Sequence, residues 1–228
     1  IYTLSLHDAL PISTSLSRTN PLAAGAGRFL YSRGFDDDAL ERFGVGFAPA
    51  GWDNLANVLR SRGFTERELV ASGLCGEGAG GRRVYDRFRD RIMWPIRDVT
   101  GATVGFGGRR LSDEDASVPK YLNTPETAIY HKGQVLYGLD LAKRDIAAGH
   151  RVVVVEGYTD VMAAHLSGVT TAVATCGTAF GADHARIVRR LLGDAADPSA
   201  GVLAGDRVRG GEVILEVEIG RASCRERV

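Results

Sequence analysis

The sequence predicts an α/β protein in which a mixed N-terminal part, with helices and strands, precedes a parallel sheet built of βαβ units. From residue 150 onward, short apolar runs alternate with helix-like segments, and such units imply parallel strands joined by right-handed crossovers. Residues 152–155 are consecutive valines, which is typical of a strand buried on both faces. Between residues 82 and 111, two strand-like runs flank a turn, which indicates a β-hairpin.

Helices dominate the start of the N-terminal part, where an Arg-Gly-Phe triplet occurs twice between helix-like segments. The triplet at residues 33–35 precedes a helix predicted over residues 37–43, and the triplet at residues 62–64 precedes a second helix. Thr65 and Glu68 begin that second helix in a capping-box pattern, in which each side chain binds a free amide of the other residue. Two copies are too few for a solenoid, so we interpret them as small packing modules.

The rest of the N-terminal part is predicted as a hairpin, two loops and a helix. The hairpin strands cover residues 91–98 and 102–107. Polar residues at 112–116 and a segment containing Pro, Asn and Thr at 119–126 predict the loops. A helix over residues 138–148 completes this part.

The C-terminal part is predicted to alternate between strands and helices. Its first three elements are a strand over residues 151–155, a helix over residues 160–166 and a strand over residues 169–174. Asp183 is predicted to cap the next helix, whose apolar residues share one face. A third parallel strand is predicted over residues 212–217.

Composition and charge argue against several classes of protein. The 228 residues include 28 basic and 28 acidic side chains, so net charge gives no support to polyanion binding and any basic surface is local. Cys75, Cys176 and Cys224 lack CxxC or CxxH spacing, which argues against a zinc site or a disulfide framework and favours a reducing cytoplasm. No apolar run approaches the roughly 20 residues that a membrane-spanning helix needs.

The two ends of the chain differ in character from the rest. Residues 1–13 and 219–228 resemble translated sequencing-adapter read-through, and we interpret both as non-native; a disordered tail at each end is the alternative. The sequence therefore predicts an N-terminal subdomain over residues 14–149 and a C-terminal domain over residues 150–218.

A carboxylate follows the valine strand at the position where open α/β sheets bind ligands. Because ligands bind at the carboxyl ends of such strands, we expect Glu156 to lie at a phosphate-bound metal. We also expect it to be buried, and a buried carboxylate is costly unless it is paired or metal-bound. Asp160 either interacts with the N-terminus of the next helix or belongs to the metal shell. His165 and His184 lack metal-ligand spacing, and we interpret them as structural.

An arginine-rich segment precedes the hairpin. In an extended chain Arg87, Arg89 and Arg91 would point to the same side. The segment is either a solvated strand face paired with the neighbouring aspartates or a track for a nucleic-acid backbone. In the second case Tyr85 and Phe88 are available to stack on bases.

Three further cations lie in segments that are not diagnostic by themselves. Arg109 ends the glycine-rich string GFGGR, which is either a tight hairpin end or a phosphate cradle. Lys120 and Lys132 occupy predicted loops, where solvated lysines are the ordinary outcome.

Several uncommon strings occur together in one order: YDRFRDRIMWPIRD, GFGGRRL, PKYLNTPET, YHKG and VVVEGYTD. Over residues 18–190 the chain resembles the RNA-polymerase core of bacterial DnaG-type DNA primases. The EGYTD string resembles the first acidic motif of the TOPRIM fold, which topoisomerases and some nucleases share. The resemblance thus implies an α+β basic subdomain followed by a TOPRIM-type βαβ sheet.

The resemblance implies a nucleotidyltransferase that makes short RNA primers on single-stranded DNA during replication. Its carboxylates hold divalent cations, usually Mg²⁺ with Mn²⁺ as a possible substitute, that position the nucleotide and stabilise charge on the transferring phosphoryl group; zinc is not expected. Glu156 is then a catalytic metal-site carboxylate and Asp160 an acidic partner in the metal site. The expected nucleotide or template contacts are Arg87, Arg89, Arg91, Arg109, Lys120 and Lys132.

The resemblance also implies partners and a location. The expected partners are a single-stranded DNA template, ribonucleoside triphosphates and, within the primosome, the replicative helicase, whose interaction domain we do not find in this chain. The expected location is the bacterial cytoplasm, with no membrane association.

The chain departs from the family pattern near its end. Family members carry an Asp-x-Asp pair after the third TOPRIM strand, whereas residues 216–220 read EVEIG, and we do not accept Glu218 as a ligand. The TOPRIM sheet is therefore expected to be incomplete and this polypeptide to make little or no primer. The alternatives are a non-catalytic module that binds single-stranded nucleic acid and another TOPRIM enzyme, a topoisomerase or nuclease.

Overall fold

The computed structural model describes most of the chain as two compact units. The described residues are 14–15, 23–81, 83–111, 117–192, 202–203 and 213–218. The first unit comprises Ile1–Ile96 and Ala102–His131, and the second comprises Arg97–Gly101 and Lys132–Val228. The predicted foreign tracts and the predicted loop at 112–116 lie outside the described residues. None of the described helices has the length and apolar content to cross a bilayer.

The helices of the first unit form two pairs, and each pair is joined through an Arg-Gly-Phe triplet. They are α1 (Ala24–Tyr31), α2 (Asp37–Phe43), α3 (Asn54–Ser61) and α4 (Glu66–Ala71). Gly34 and Gly63 have φ values of 85° and 91°, which explains the glycine in each triplet. Glu68 Oε2 accepts from Thr65 N at 2.8 Å, and Glu68 N donates to Thr65 Oγ1 at 3.3 Å. The predicted capping box is therefore confirmed.

The strands of the first unit form a five-stranded and a two-stranded sheet. They are β1 (Thr14–Ser15), β2 (Gly46–Ala48), β3 (Cys75–Glu77), β4 (Val84–Asp86), β5 (Arg91–Arg97), β6 (Thr103–Arg110) and β7 (Tyr121–Asn123). The larger sheet has the order β1-β2-β5-β6-β7, and β3 pairs with β4. Gly101 N donates to Asp98 O at 3.0 Å in the turn between β5 and β6, so the predicted hairpin is confirmed.

Two predictions for this region are wrong. The GFGGR string is not a hairpin end, because β6 continues through it to Arg110. Its glycines instead allow close packing: a Cβ at Gly105 would lie 3.2 Å from Thr124 Cβ, and one at Gly108 would lie 3.0 Å from the Phe88 ring. The segment at 119–126 is not wholly a loop, because β7 pairs there with β6.

The second unit contains the predicted βαβ unit. Its elements are α5 (Leu139–Gly149), β8 (Arg151–Val155), α6 (Tyr158–Leu166), β9 (Ala172–Ala174), α7 (Ala182–Leu192), β10 (Val202–Leu203) and β11 (Val213–Glu218). Strands β8 and β9 pair in parallel, with Val154 opposite Val173. Strand β9 begins three residues later than predicted. Asp183 lies inside the first turn of α7, where it contacts Arg186, so the prediction that it caps the helix is wrong.

The predicted third parallel strand is also wrong in its direction. The sheet has the order β10-β11-β8-β9, and β11 pairs with β8 in the antiparallel sense. Because β10 is antiparallel to β11 in turn, β10 runs parallel to β8 and β9, and β11 is the one antiparallel strand among the described strands of this sheet. Mixed sheets that contain both parallel and antiparallel strands are common in α/β proteins, and the α/β class stands.

Candidate active site

Glu156 lies at the carboxyl end of β8, immediately before the helix α6. The strand is buried as far as Val155, which is 5% exposed, but Glu156 itself is exposed. The expectation that it is buried is therefore wrong, because the chain leaves the sheet at this residue. Within the described residues, no donor or cation pairs with the Glu156 carboxylate. It is a solvent-facing carboxylate whose oxygens are available to a ligand.

Asp160 lies in the first turn of α6 and caps that helix. Its Oδ2 accepts a hydrogen bond from Gly157 N at 3.0 Å. Burial raises the pKa of the Asp160 carboxyl, and the Gly157 amide opposes that rise. Of the two alternatives for Asp160, the contact present is the one with the helix N-terminus, and a role in a metal shell stays a prediction.

The two carboxylates fit one kind of metal site. Among the described residues, no group of three or more His, Cys, Asp or Glu side chains could hold a metal ion. Mg²⁺ is usually bound through one or two carboxylates together with water and substrate phosphates. The donors therefore suit a hard divalent cation that binds together with a nucleotide, rather than a closed protein cage.

The three arginines before the hairpin do not share a face. Asp90 has a φ of 49°, so the chain is not extended between Arg89 and Arg91. The prediction that the three side chains point to the same side is therefore wrong. Arg91 is 3% exposed and donates to the carbonyl oxygens of Gly108, Pro119 and Lys120 at 2.8–3.3 Å. Burial lowers the pKa of Arg91, and the neighbouring Arg110 lowers it further. Arg91 therefore anchors the segment that carries Lys120.

Arg89 forms an exposed stack with a tryptophan that sequence reasoning missed. The Arg89 guanidinium lies 4.0 Å from the centre of the Trp52 ring, and Trp52 is 65% exposed. Tyr85 packs edge-on to Trp52 at 6.1 Å. Phe88, the other aromatic proposed for stacking on bases, is 5% exposed in the core, so that prediction is wrong. The signal that could have indicated Trp52 is its polar setting, Gly-Trp-Asp-Asn, in a sequence with only two tryptophans.

Two arginines contact the ring of Phe29. The Arg109 and Arg33 guanidiniums lie 3.9 Å and 3.6 Å from its centre. Arg109 is 7% exposed, whereas Arg33 is exposed. Arg33 was missed by sequence reasoning, although its place in the Arg-Gly-Phe triplet could have drawn attention to it. Two cations that share one ring form a local positive site.

The remaining predicted cations have different surroundings. Arg87 is half-buried, and its Nε has no hydrogen-bond partner among the residues that the structure describes. Lys120 is exposed and precedes β7. Lys132 begins a 3₁₀ turn in the second unit, Lys132–Gln134, and its carbonyl accepts from His184 Nε2 at 3.1 Å.

Comparison with known proteins identifies the class of the C-terminal region and then the family of the chain. Residues 150–215 match the model of the Toprim domain. Residues 14–143 match the model described as the DNA primase catalytic core, N-terminal domain. The chain belongs to the DNA primase catalytic-core family.

Three relatives illustrate the similarity. The chain is 62% identical to the DNA primase of Streptomyces coelicolor over 176 residues, which cover 77% of this chain and 27% of that protein. It superposes on the RNA polymerase domain of Mycobacterium tuberculosis primase DnaG with a TM-score of 0.77 and 53% identity, over 83% of this chain and 60% of that one. The DnaG primase catalytic domain bound to ssDNA gives a TM-score of 0.70 and 43% identity, over 82% and 57%. The chain spans about a quarter of the length of the curated relative.

Proposed function

We propose that this chain carries part of the catalytic core of a DNA primase, which makes short RNA primers on single-stranded DNA during replication. The observation that carries the proposal is Glu156, an exposed carboxylate at the end of β8 inside the region that matches the Toprim domain. The similarity of the first unit to primase structures supports the polymerase over a topoisomerase or nuclease.

The proposed chemistry is nucleotidyl transfer. A primer 3′-hydroxyl attacks the α-phosphorus of a ribonucleoside triphosphate, a new phosphodiester bond forms, and pyrophosphate leaves. Mg²⁺ or Mn²⁺, when bound, neutralises charge on the phosphates. Glu156 would provide the carboxylate ligand, with Asp160 close by in the next helix. Lys132 is proposed to contact the triphosphate. A helicase partner and a bacterial cytoplasmic location are proposed as well, and the similarity to bacterial DNA primases supports both.

The first unit is proposed to hold the template. Indole rings stack on bases without regard to sequence, and arginine adds attraction to the phosphate backbone. The exposed Trp52–Arg89 stack provides both, and one relative is a primase catalytic domain bound to ssDNA. The same stack is the observation that favours the second candidate function, a module that binds single-stranded DNA without catalysis.

The test uses a chimaera in which residues 14–190 of this chain replace the matching segment of the Streptomyces coelicolor primase. We expect the chimaera to make primers on single-stranded DNA with Mg²⁺ and ribonucleotides, and this polypeptide alone to make little or none. A chimaera that binds single-stranded DNA but incorporates no nucleotide would support the binding module. Robust synthesis by this polypeptide alone would contradict the expectation drawn from the missing Asp-x-Asp pair.

Replacement of Trp52 by alanine is expected to weaken binding of single-stranded DNA about tenfold, since stacking on one aromatic ring contributes about 1–3 kcal/mol per base. In this chain with its wild-type sequence, tryptophan fluorescence should be quenched by single-stranded DNA, because Trp52 is exposed while the second tryptophan, Trp94, is fully buried. Ile129→Ala is the control, since Ile129 is 53% exposed in the same unit. Equal affinities for the two variants would exclude Trp52 from the template contact.

A further inference from the structure

His184 is a buried histidine that the proposed chemistry does not use. It lies in α7 and is 1% exposed. Both of its ring nitrogens contact backbone atoms: Nδ1 lies 3.2 Å from Gly181 N, and Nε2 lies 3.1 Å from Lys132 O. The histidine therefore joins the start of α7 to the turn that carries Lys132.

The two contacts determine the tautomer of the ring. A backbone N–H can only donate, so Nδ1 must present its lone pair to Gly181. The ring proton is then on Nε2, which faces the Lys132 carbonyl, and a carbonyl can only accept. A ring with its proton on Nδ1 would oppose donor to donor at Gly181 and acceptor to acceptor at Lys132. Both ends therefore select the Nε2–H form.

The segment between Lys132 and Tyr137 is held at its other end as well. Tyr137 N donates to Ala174 O at 2.8 Å, and Ala174 N donates back to Tyr137 O at 3.0 Å. Between these two attachments the segment contains only the short 3₁₀ turn. The His184 hydrogen bond thus fixes the backbone from which the Lys132 side chain extends, while the Ala174 bridge fixes the segment relative to β9.

We propose that His184 is a positioning residue, which holds Lys132 at the place where its ammonium binds the phosphates of the incoming nucleotide. The inference rests on the proposed function of Lys132 as a triphosphate contact. His184 does not touch the substrate. It acts through the backbone, because its hydrogen bond to the Lys132 carbonyl fixes the point from which the ammonium extends.

Three variants separate positioning from general support of the fold. His184→Phe keeps a ring against Phe180, whose centre lies 5.6 Å away, but removes both hydrogen bonds. His184→Gln retains an N–H donor close to the position of Nε2. His165→Phe is the control, because His165 is also buried and its Nε2 lies 2.9 Å from a backbone oxygen, that of Ala172, in the same unit.

In the chimaera, His184→Phe is expected to raise the KM for ribonucleotide about tenfold with little change in kcat, the pattern of lost substrate binding. His184→Gln should restore most of the affinity, and His165→Phe should lower thermal stability without changing KM. In a Lys132→Ala background, His184→Phe should have no further effect on KM, since coupled residues are not additive. An undiminished effect in that background, or an unchanged KM for His184→Phe alone, would overturn the proposal.

A measurement on this chain alone separates failure of the inference from failure of the proposed function. Imidazole ¹⁵N chemical shifts should show His184 Nε2 protonated and Nδ1 unprotonated. The opposite pattern would contradict the assigned tautomer and the hydrogen bond from Nε2 to the Lys132 carbonyl that depends on it. If instead the expected tautomer is found but Lys132→Ala leaves KM unchanged, the hydrogen bond between His184 and Lys132 is present, but Lys132 does not contact the triphosphate. In that case His184 has no binding group to position, and the proposal is overturned on that ground.

Discussion

Replacement of Glu156 by glutamine is expected to lower primer synthesis by the chimaera at least about 100-fold, because the neutral amide cannot replace the anionic oxygen that a hard divalent cation prefers. Glutamine has nearly the same shape, and Glu156 is exposed, so the free energy of unfolding should change by less than about 0.5 kcal/mol. Affinity for single-stranded DNA should also be unchanged, because the proposed template stack lies in the other unit.

The measurement is the rate of ribonucleotide incorporation as Mg²⁺ is increased. Loss of a metal ligand should move the half-maximal Mg²⁺ concentration upward as well as lower the maximal rate. Asp145→Asn is the matched control, since Asp145 is an exposed acid of the same unit on α5 and should leave both quantities unchanged. Activity of Glu156→Gln within about threefold of the wild type, a loss far smaller than a carboxylate ligand to the cation should cause, would exclude Glu156 from the metal site.

The features that could be predicted from the sequence are those specified by neighbouring residues. The valine run specifies β8 because every side chain in it is apolar, and the acidic residue that follows marks the strand end. Thr65 and Glu68 specify the start of α4 because each satisfies an amide of the other within one turn. In these cases the deciding interactions lie within a few residues, so the sequence pattern contains them.

The features that could not be predicted depend on residues far apart in the chain. His184 contacts a carbonyl 52 positions earlier, and Arg91 contacts carbonyls 17 to 29 positions later. The stack on Trp52 requires that Arg89 be brought over a residue from another element. The positive φ of Asp90 alone interrupts the extended backbone, so the prediction that the arginines point to the same side does not hold. Local patterns do not encode these contacts, which arise from packing.

Asp86 is one of these packing-dependent residues, and it carries the largest stability effect that we expect. It is 3% exposed at the end of β4, and its two carboxylate oxygens accept from Leu55 N at 2.8 Å and Ala56 N at 2.9 Å. These amides belong to the first turn of α3, whose own N-cap residue, Asp53, makes no side-chain cap hydrogen bond. Asp86 therefore caps this helix through the amide of Leu55, which lies 31 positions before it in the chain.

Replacement of Asp86 by alanine is expected to lower the free energy of unfolding by about 3 kcal/mol, because it leaves the helix amides unsatisfied and removes two hydrogen bonds to a charged group. Asp86→Asn should cost about half as much, since one amide oxygen can still accept while its NH₂ group opposes the second backbone donor. Urea unfolding followed by tryptophan fluorescence measures both, because Trp52 and Trp94 lie in the same unit as Asp86.

The pH dependence gives a second measurement at the same residue. Burial raises the pKa of Asp86 above its ordinary value, and this outweighs the opposing effect of the Leu55 and Ala56 amides. A carboxyl whose pKa is higher in the folded state binds protons more tightly there, so its contribution to stability falls as pH rises from the unfolded pKa through the folded pKa. Asp86→Asn should therefore remove part of the decline in stability between acid and neutral pH, whereas the exposed control Asp38→Asn should leave it in place. If Asp86→Asn instead steepens that decline, the hydrogen bonds from α3 outweigh burial, and the pKa of Asp86 is lowered rather than raised in the folded state.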